Sequence, residues 1–154
     1  MADGMMQHDF YYKTNLKKRI IATLIDYTIY GLFFIAYINI FGHDDNKGNM
    51  VVEGWLTLPV TVFWFLYFVV IEAVNGATLG HDLLYLKVLK VDRRKIGFGQ
   101  ALKRHLLDPV DIMMWGIPGW IAIRQSDKHQ RLGDLWAKTI VVDTRDRQQY
   151  VTTI

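Results

Sequence analysis

The chain contains no cysteine, which excludes disulfide frameworks, zinc knuckles, thiolate nucleophiles and iron–sulfur ligation. It also lacks GxSxG, a P-loop and GxGxxG, so the nucleophile elbow, the phosphate cradle and the dinucleotide fingerprint are missing. Its histidines, His8, His43, His81, His105 and His129, form neither an i, i+4 pair nor an HExxH run, and no metal site is expected. The net charge is small, +3 over 154 residues, yet it is unevenly placed, and placement is what matters beside a bilayer. These absences point away from an enzyme and from any cofactor. What the chain does have is long apolar runs separated by polar segments, over a length that suits one domain. Residues 1–154 are therefore expected to form a single membrane domain.

Ile20 to Phe41 is a run of twenty-two residues with one charge, Asp26; at about 1.5 Å per residue it crosses a hydrocarbon layer about 30 Å thick. A cleavable secretory signal would have an apolar region of about 7–15 residues and a small-residue cleavage site, and neither is present. Trp55 to Val74 gives a second span, with Pro59 in its early turns and Glu72 near its far end. A soluble helix of that length would carry a polar stripe, and this one has none. Lys13, Lys17, Lys18 and Arg19 precede the first span, whereas the connector to the second holds Lys47 against Asp44, Asp45 and Glu53. The positive-inside rule then puts residues 1–19 in the cytoplasm, and the basic residues of 75–105 put that segment on the same side.

Leu106 to Ile123 is a poorer span, because its eighteen residues include Asp108, Pro109, Asp111 and the breaker run from Gly116 to Gly119. A single crossing would export Arg124, Lys128, Arg131, Lys138, Arg145 and Arg147. A re-entrant hairpin turning at Gly116–Gly119 would keep residues 124–154 inside and is the preferred reading. Two polar segments also echo each other, LGHDLLYLKVLKVD from Leu79 and LGDLWAKTIVVD from Leu132, unless two short leucine- and valine-rich stretches coincide by chance. Their ends predict two short strands that pair under the membrane. Between them, Phe98 to Leu107 predicts an interfacial amphipathic helix, apolar at Phe98, Ala101, Leu102 and Leu106 and basic at Lys103 and Arg104. The expected fold is all-α, with two transmembrane helices, a short third or re-entrant segment, this interfacial helix and a minor two-stranded β element.

RIIATLID (Arg19 to Asp26), NGATLGHDLLYLKVLKVD (Asn75 to Asp92), FGQALKRHLL and QRLGDLWAKTIVV (Gln130 to Val142) together resemble the RDD family of membrane proteins over nearly the whole chain. The resemblance implies a signature of one arginine at the start of the first helix, one aspartate inside it and a further aspartate. Arg19 and Asp26 match the first two; Asp134 or Asp111 supplies the third. Four departures stand out: His81 and Asp82 where basic residues are common in the family, and Tyr85 and Lys138 where glycine is common. The resemblance implies a bacterial inner membrane, and either partnership in membrane complexes or transport of the cation/proton exchange type.

Arg19 and Asp26 share a helix face, since seven steps of 100° fall about 20° short of two turns. A charge at that depth costs at least about 2.5–3.5 kcal/mol, so Asp26 should be protonated, hydrated or paired. One reading makes Asp26, Asp108 and Asp111 an ion or proton pathway; the preferred one makes these acids staples that pair with Arg19, Arg104 or Arg124. Arg19 can also snorkel toward Asp26 or lipid phosphates. Glu72 is read as a helix-end acid in water, within reach of Lys13, Lys17 or His81, or else as a pathway or ion-pair partner. Lys87, Lys90, Arg93, Arg94, Lys95 and Lys103 are expected against anionic headgroups rather than nucleic acid. The expected role is a non-enzymatic subunit of a membrane assembly or a homo-oligomer. The alternative is an oligomeric ion or small-solute transporter.

Overall fold

The computed structural model describes residues 12–146; Met5, Met6, His8 and Arg147, and the side chains of Met113 and Met114, lie outside what it describes. The first apolar run forms α1 (Leu16–Phe41), which begins after Asn15 in a left-handed conformation and stops where Gly42 turns extended. The second forms α2 (Gly54–Asn75). Its tight first turn leads into Pro59, where a missing backbone N–H costs nothing, and Gly76 ends it at φ +73°. Both helices are long and apolar enough to cross a membrane. Only 11% and 17% of their apolar windows are buried within the protein, so their apolar surfaces face outward, unlike those of a soluble core helix.

Aromatic rings hold the pair together: Phe33 stacks on Phe63 with centroids 3.9 Å apart, and Tyr27 and Tyr30 lean on Phe68. Over Phe65–Val70 the backbone widens into a π-type turn that buries three consecutive residues, Tyr67, Phe68 and Val69. An α-helix presents at most two neighbours to one side, so the wide turn is what brings Tyr67 inward. The connector adds an element the sequence had not suggested, the small ladder of β1 (His43–Asp44) and β2 (Met50–Val51).

The remaining chain builds a layer of short elements: α3 (Leu79–Leu83), β3 (Leu86–Lys90), α4 (Phe98–Leu106), α5 (Asp108–Gln125), α6 (Leu132–Ala137) and β4 (Thr139–Asp143). The two expected strands do pair, antiparallel, with Val88 opposite Val141. Behind them a core of Ala22, Val69, Leu86, Val88, Ile96, Ala101 and Val141 closes the layer against the two long helices.

α5 does not run straight. Gly116 sits at φ +82°, and a Cβ placed on Gly119 would stand 2.9 Å from the carbonyl oxygen of Asp111, whereas eight residues of straight helix would separate them by about 12 Å. The stretch therefore folds back on itself as a short helical hairpin. α4 forms over the residues expected for the amphipathic helix, with Phe98 and Leu106 half-exposed, but Arg104, expected on its basic outer face, is buried together with Ala101 and His105. Arg104 and His105 point inward because the layer's interior is ionic.

Candidate functional site

Below α1 and α2 lies a buried ionic network. Its centre is Asp134, fully buried at the start of α6. Arg19 and Arg104 both bond its carboxylate, and it accepts the Arg131 backbone N–H at 3.1 Å. Burial opposes its ionisation, but the Arg104, Arg19 and Arg131 guanidiniums hold its carboxyl far below the usual range. Arg104 reaches Glu72 through Nε at 2.8 Å and donates to the Thr139 hydroxyl at 3.3 Å. His105 bridges Glu72 through Nε2 at 3.2 Å and Asp108 through Nδ1 at 2.6 Å. Burial disfavours its charge, but the Glu72 and Asp108 carboxylates outweigh that and lift its pKa to about 9. Arg131 completes the ring on Asp108 Oδ1 at 2.8 Å, and Tyr27 donates to Asp108 Oδ2 at 3.0 Å.

Two further carboxylates flank this centre in matching ways. Asp26 Oδ1 accepts the backbone N–H of Gly80 at 2.7 Å and the Tyr67 hydroxyl at 2.9 Å. Its Oδ2 accepts the Thr78 hydroxyl at 2.6 Å and stands 3.1 Å from His81 Nδ1. Asp111 accepts the backbone N–H groups of Leu132 and Gly133, each at 3.0 Å. Each aspartate therefore receives the first turn of a short helix that opens with Leu-Gly. Each glycine lets that helix sit directly on another: a Cβ on Gly80 would lie 2.3 Å from the Ala22 carbonyl oxygen, and one on Gly133 would lie 2.6 Å from that of Arg104.

The match extends along the chain. Arg104 precedes Asp111 by seven residues, as Arg19 precedes Asp26. α3 and α6 each end in a left-handed residue, Tyr85 at φ +60° and Lys138 at φ +55°, and each is followed by a five-residue strand. The ladder register, Leu86 with Asp143 and Lys90 with Thr139, maps onto itself when the two units are exchanged. The structure thus turns the sequence echo into two equivalent units around Val88 and Val141, and the α5 hairpin occupies in the second the place of α1 and α2 in the first.

Several expectations need correction. Arg19 does not reach Asp26; it bonds Asp134 and the His129 carbonyl oxygen, because the shared helix face meets two different elements. Glu72 is not a solvated helix-end acid but is fully buried on Arg104 and His105. Arg124 is no staple in this fold, since it lies over the Trp120 ring at 4.4 Å. Among the basic residues expected at headgroups, Arg93 is buried beside the Tyr12 ring, Lys87 bonds Asp82 and the Asn75 carbonyl oxygen, and Arg94 pairs with Asp92. Lys95 and Lys103 are exposed, Lys90 is half-buried, and Lys103 stands over Trp136 at 5.7 Å. The sequence reading missed Thr78, Tyr67, Tyr27 and His105 as network members; the second arginine-to-aspartate spacing of seven would have exposed the neighbourhood of His105.

Among the described residues no grouping of His, Asp and Glu could hold a metal ion. Searches of curated proteins and of solved structures find no match. The RDD family profile matches residues 13–138, a stretch that contains both long helices, both aspartate half-sites and Asp134. With Arg19 and Asp26 where the family's signature puts them, this chain belongs to the RDD family of membrane proteins.

Proposed function

We propose that this RDD-family membrane protein is a non-enzymatic subunit or partner of a membrane protein assembly in a bacterial inner membrane. One observation carries the reading: the acids of the apolar segments are already engaged within the chain. Glu72 is held by Arg104 and His105, Asp108 by His105 and Arg131, and Asp26 by four donors or ring contacts. Buried acids locked this way rigidify a scaffold, and two full-length helices are few for walling a pathway. Ile35, Leu32 and Ile40 of α1 and Val62 and Leu66 of α2 are about half-exposed or more, which suits contact with lipid or with helices of other subunits.

The topology belongs to the same proposal: amino terminus, α3 to α4 and α6 to β4 on the cytoplasmic side, with α5 dipping into the bilayer and returning. The pairing of β3 with β4 supports it, since paired strands share one side, and so does the positive-inside rule. Because the chain lacks cysteine, Lys47→Cys and Lys128→Cys give clean probes. An impermeant maleimide applied to intact cells should label the first alone, and labelling of position 128 would overturn the hairpin.

A second reading, an oligomeric cation/proton exchanger, is favoured by the Asp26 half-site. Its carboxylate has no arginine, only His81, whose pKa burial lowers. Native purification with identification of co-eluting chains separates the two. Stoichiometric partners support the subunit role. A homogeneous homo-oligomer, together with ion flux abolished in Asp26→Asn at unchanged expression, supports exchange.

A further inference from the structure

A cavity of about 490 Å³ lies where the ends of β3 and α6 meet the start of α4. Lys90, Lys103 and Lys138 line it, with Gly99 and Gln100 of α4 and the half-exposed ring of Trp136. Lys103 and Lys138 are exposed and Lys90 is half-buried; among the described residues no carboxylate lies within ion-pair distance of these three ammonium groups. The acid in the lining, Asp92, is already taken by the Arg94 guanidinium at 2.7 and 2.9 Å. The backbone adds donors of its own. α4 begins here with no acid in its first turn. The N–H groups of Gln100 and Ala101 return to the Gly97 carbonyl oxygen, whereas those of Phe98 and Gly99 find no acceptor among the described residues. Gln100 accepts the Gly97 N–H through Oε1 at 3.0 Å, which leaves its amide NH2 to donate. Space beside Gly99 is open, since a Cβ there would meet nothing within 4 Å.

We propose that this cavity binds a phosphate monoester or free phosphate ion, held by the three ammonium groups and the open first turn of α4. Charge sets the class. Three cations around one carboxylate that Arg94 already neutralises call for a doubly charged anion, and a singly charged phosphodiester would satisfy less of that charge. A helix start offers oriented N–H donors to phosphate oxygens, and lysine ammoniums serve as point charges beside them. Other basic residues of the same segment are engaged within the fold: Lys87 on Asp82, Arg94 on Asp92, and Arg93 by burial. Unpaired positive charge is therefore gathered at the cavity. A doubly charged phosphate reaches such a site from two sources, the headgroup of phosphatidic acid or a phosphate in solution, and the recognition chemistry is the same for both. The site does not depend on the subunit role, so a failed partner search would leave it standing.

The full chain, purified in mild detergent, is titrated with phosphatidic acid, with phosphatidylglycerol of the same acyl chains, and with inorganic phosphate. Native mass spectrometry reads the lipids and calorimetry the free ion. Wild type should bind phosphatidic acid or inorganic phosphate, and phosphatidylglycerol several-fold more weakly. Removing two exposed ammoniums in Lys103→Gln/Lys138→Gln should weaken binding about thirtyfold, at about fivefold per charge. Lys95→Gln, which removes an exposed lysine outside the cavity lining, should leave it unchanged. Bound phosphatidic acid that millimolar phosphate does not displace assigns the lipid headgroup; displacement, or calorimetric binding of the free ion, assigns the soluble source. Equal weakening in the double variant and Lys95→Gln, equal affinity for phosphatidylglycerol, or no binding of either phosphate would overturn the proposal. Independently of any variant, the bound anion should protect Lys90, Lys103 and Lys138 of wild type from amine acetylation and leave Lys95 reactive. Uniform protection of all four would mean diffuse surface charge only and would equally sink the site.

Discussion

The Asp26 and Asp111 half-sites share a scaffold and differ in what fills it. In both, an aspartate seven residues after an arginine receives the first turn of a Leu-Gly helix. Where the first unit has Thr78 and His81, the second has Arg131 and Asp134. Those two exchanges make one half a hydrogen-bonded site of mostly neutral donors and the other a dense ion pair that Arg19 of the first unit also enters. The comparison teaches that backbone N–H groups fix where each carboxylate sits, while the residues flanking the glycine decide what surrounds it: hydroxyls and an imidazole at Asp26, an arginine–aspartate cluster beside Asp111. The second unit also replaces two long helices with one short hairpin, so the ionic half underlies the thinner part of the protein.

The strongest way to break this comparison is at its centre. Asp134→Asn leaves Arg19 and Arg104 buried without their shared anion and should cost about 3–5 kcal/mol, read as loss of the monodisperse peak in detergent. Asp26→Asn, which keeps most of its hydrogen bonds, should cost no more than about 1–3 kcal/mol. An equal loss would mean the two halves are energetically alike. The next effect is pH dependence. Because the folded pKa of His105 is raised to about 9 from an ordinary value of about 6.5, its contribution is complete below about pH 6.5 and is lost as pH rises through 9, roughly 3 kcal/mol in all. The melting temperature of wild type should fall across that window, and a His105→Gln variant should start lower and fall less.

The scaffold itself is tested by Gly80→Ala and Gly133→Ala. Each new Cβ meets a carbonyl oxygen well inside contact distance, and each substitution should destabilise by about 1–3 kcal/mol. Similar losses at both positions would sharpen the equivalence of the units, and a tolerated alanine at either would break it. The smallest effect has the opposite sign. Lys138 is exposed and left-handed, a conformation that costs a side-chain-bearing residue about 1–2 kcal/mol relative to glycine, so Lys138→Gly should raise the melting temperature slightly. Tyr85→Gly should gain less, because it also removes the ring over which Arg145 lies at 4.2 Å.

The departures expected at positions 85 and 138 gain a physical meaning here: both helices end in a left-handed turn, where glycine would be unstrained, and this chain accepts strain at both. That much was legible as an anomaly in the sequence, without its cause. The third apolar stretch was legible in a similar way, since its breakers predicted a turn that Gly116 makes. The burial of the basic residues of α4 was not legible, because periodicity sorts residues into faces without saying which polar residues find partners inside. Here Arg104 and His105 turn inward to meet Glu72, Asp108 and Asp134.

By itself the sequence determined the two long helices, the breaks between them, the paired strands and the family, because each depends on local hydrophobicity, turn chemistry or a short ordered motif. Only the tertiary structure decided which charge meets which. Arg19 and Asp134 are separated by 115 residues and Arg104 and Glu72 by 32, and no local rule selects among so many acids and bases. The choice is made by desolvation, which forbids any of them to be buried alone and so joins them into one network.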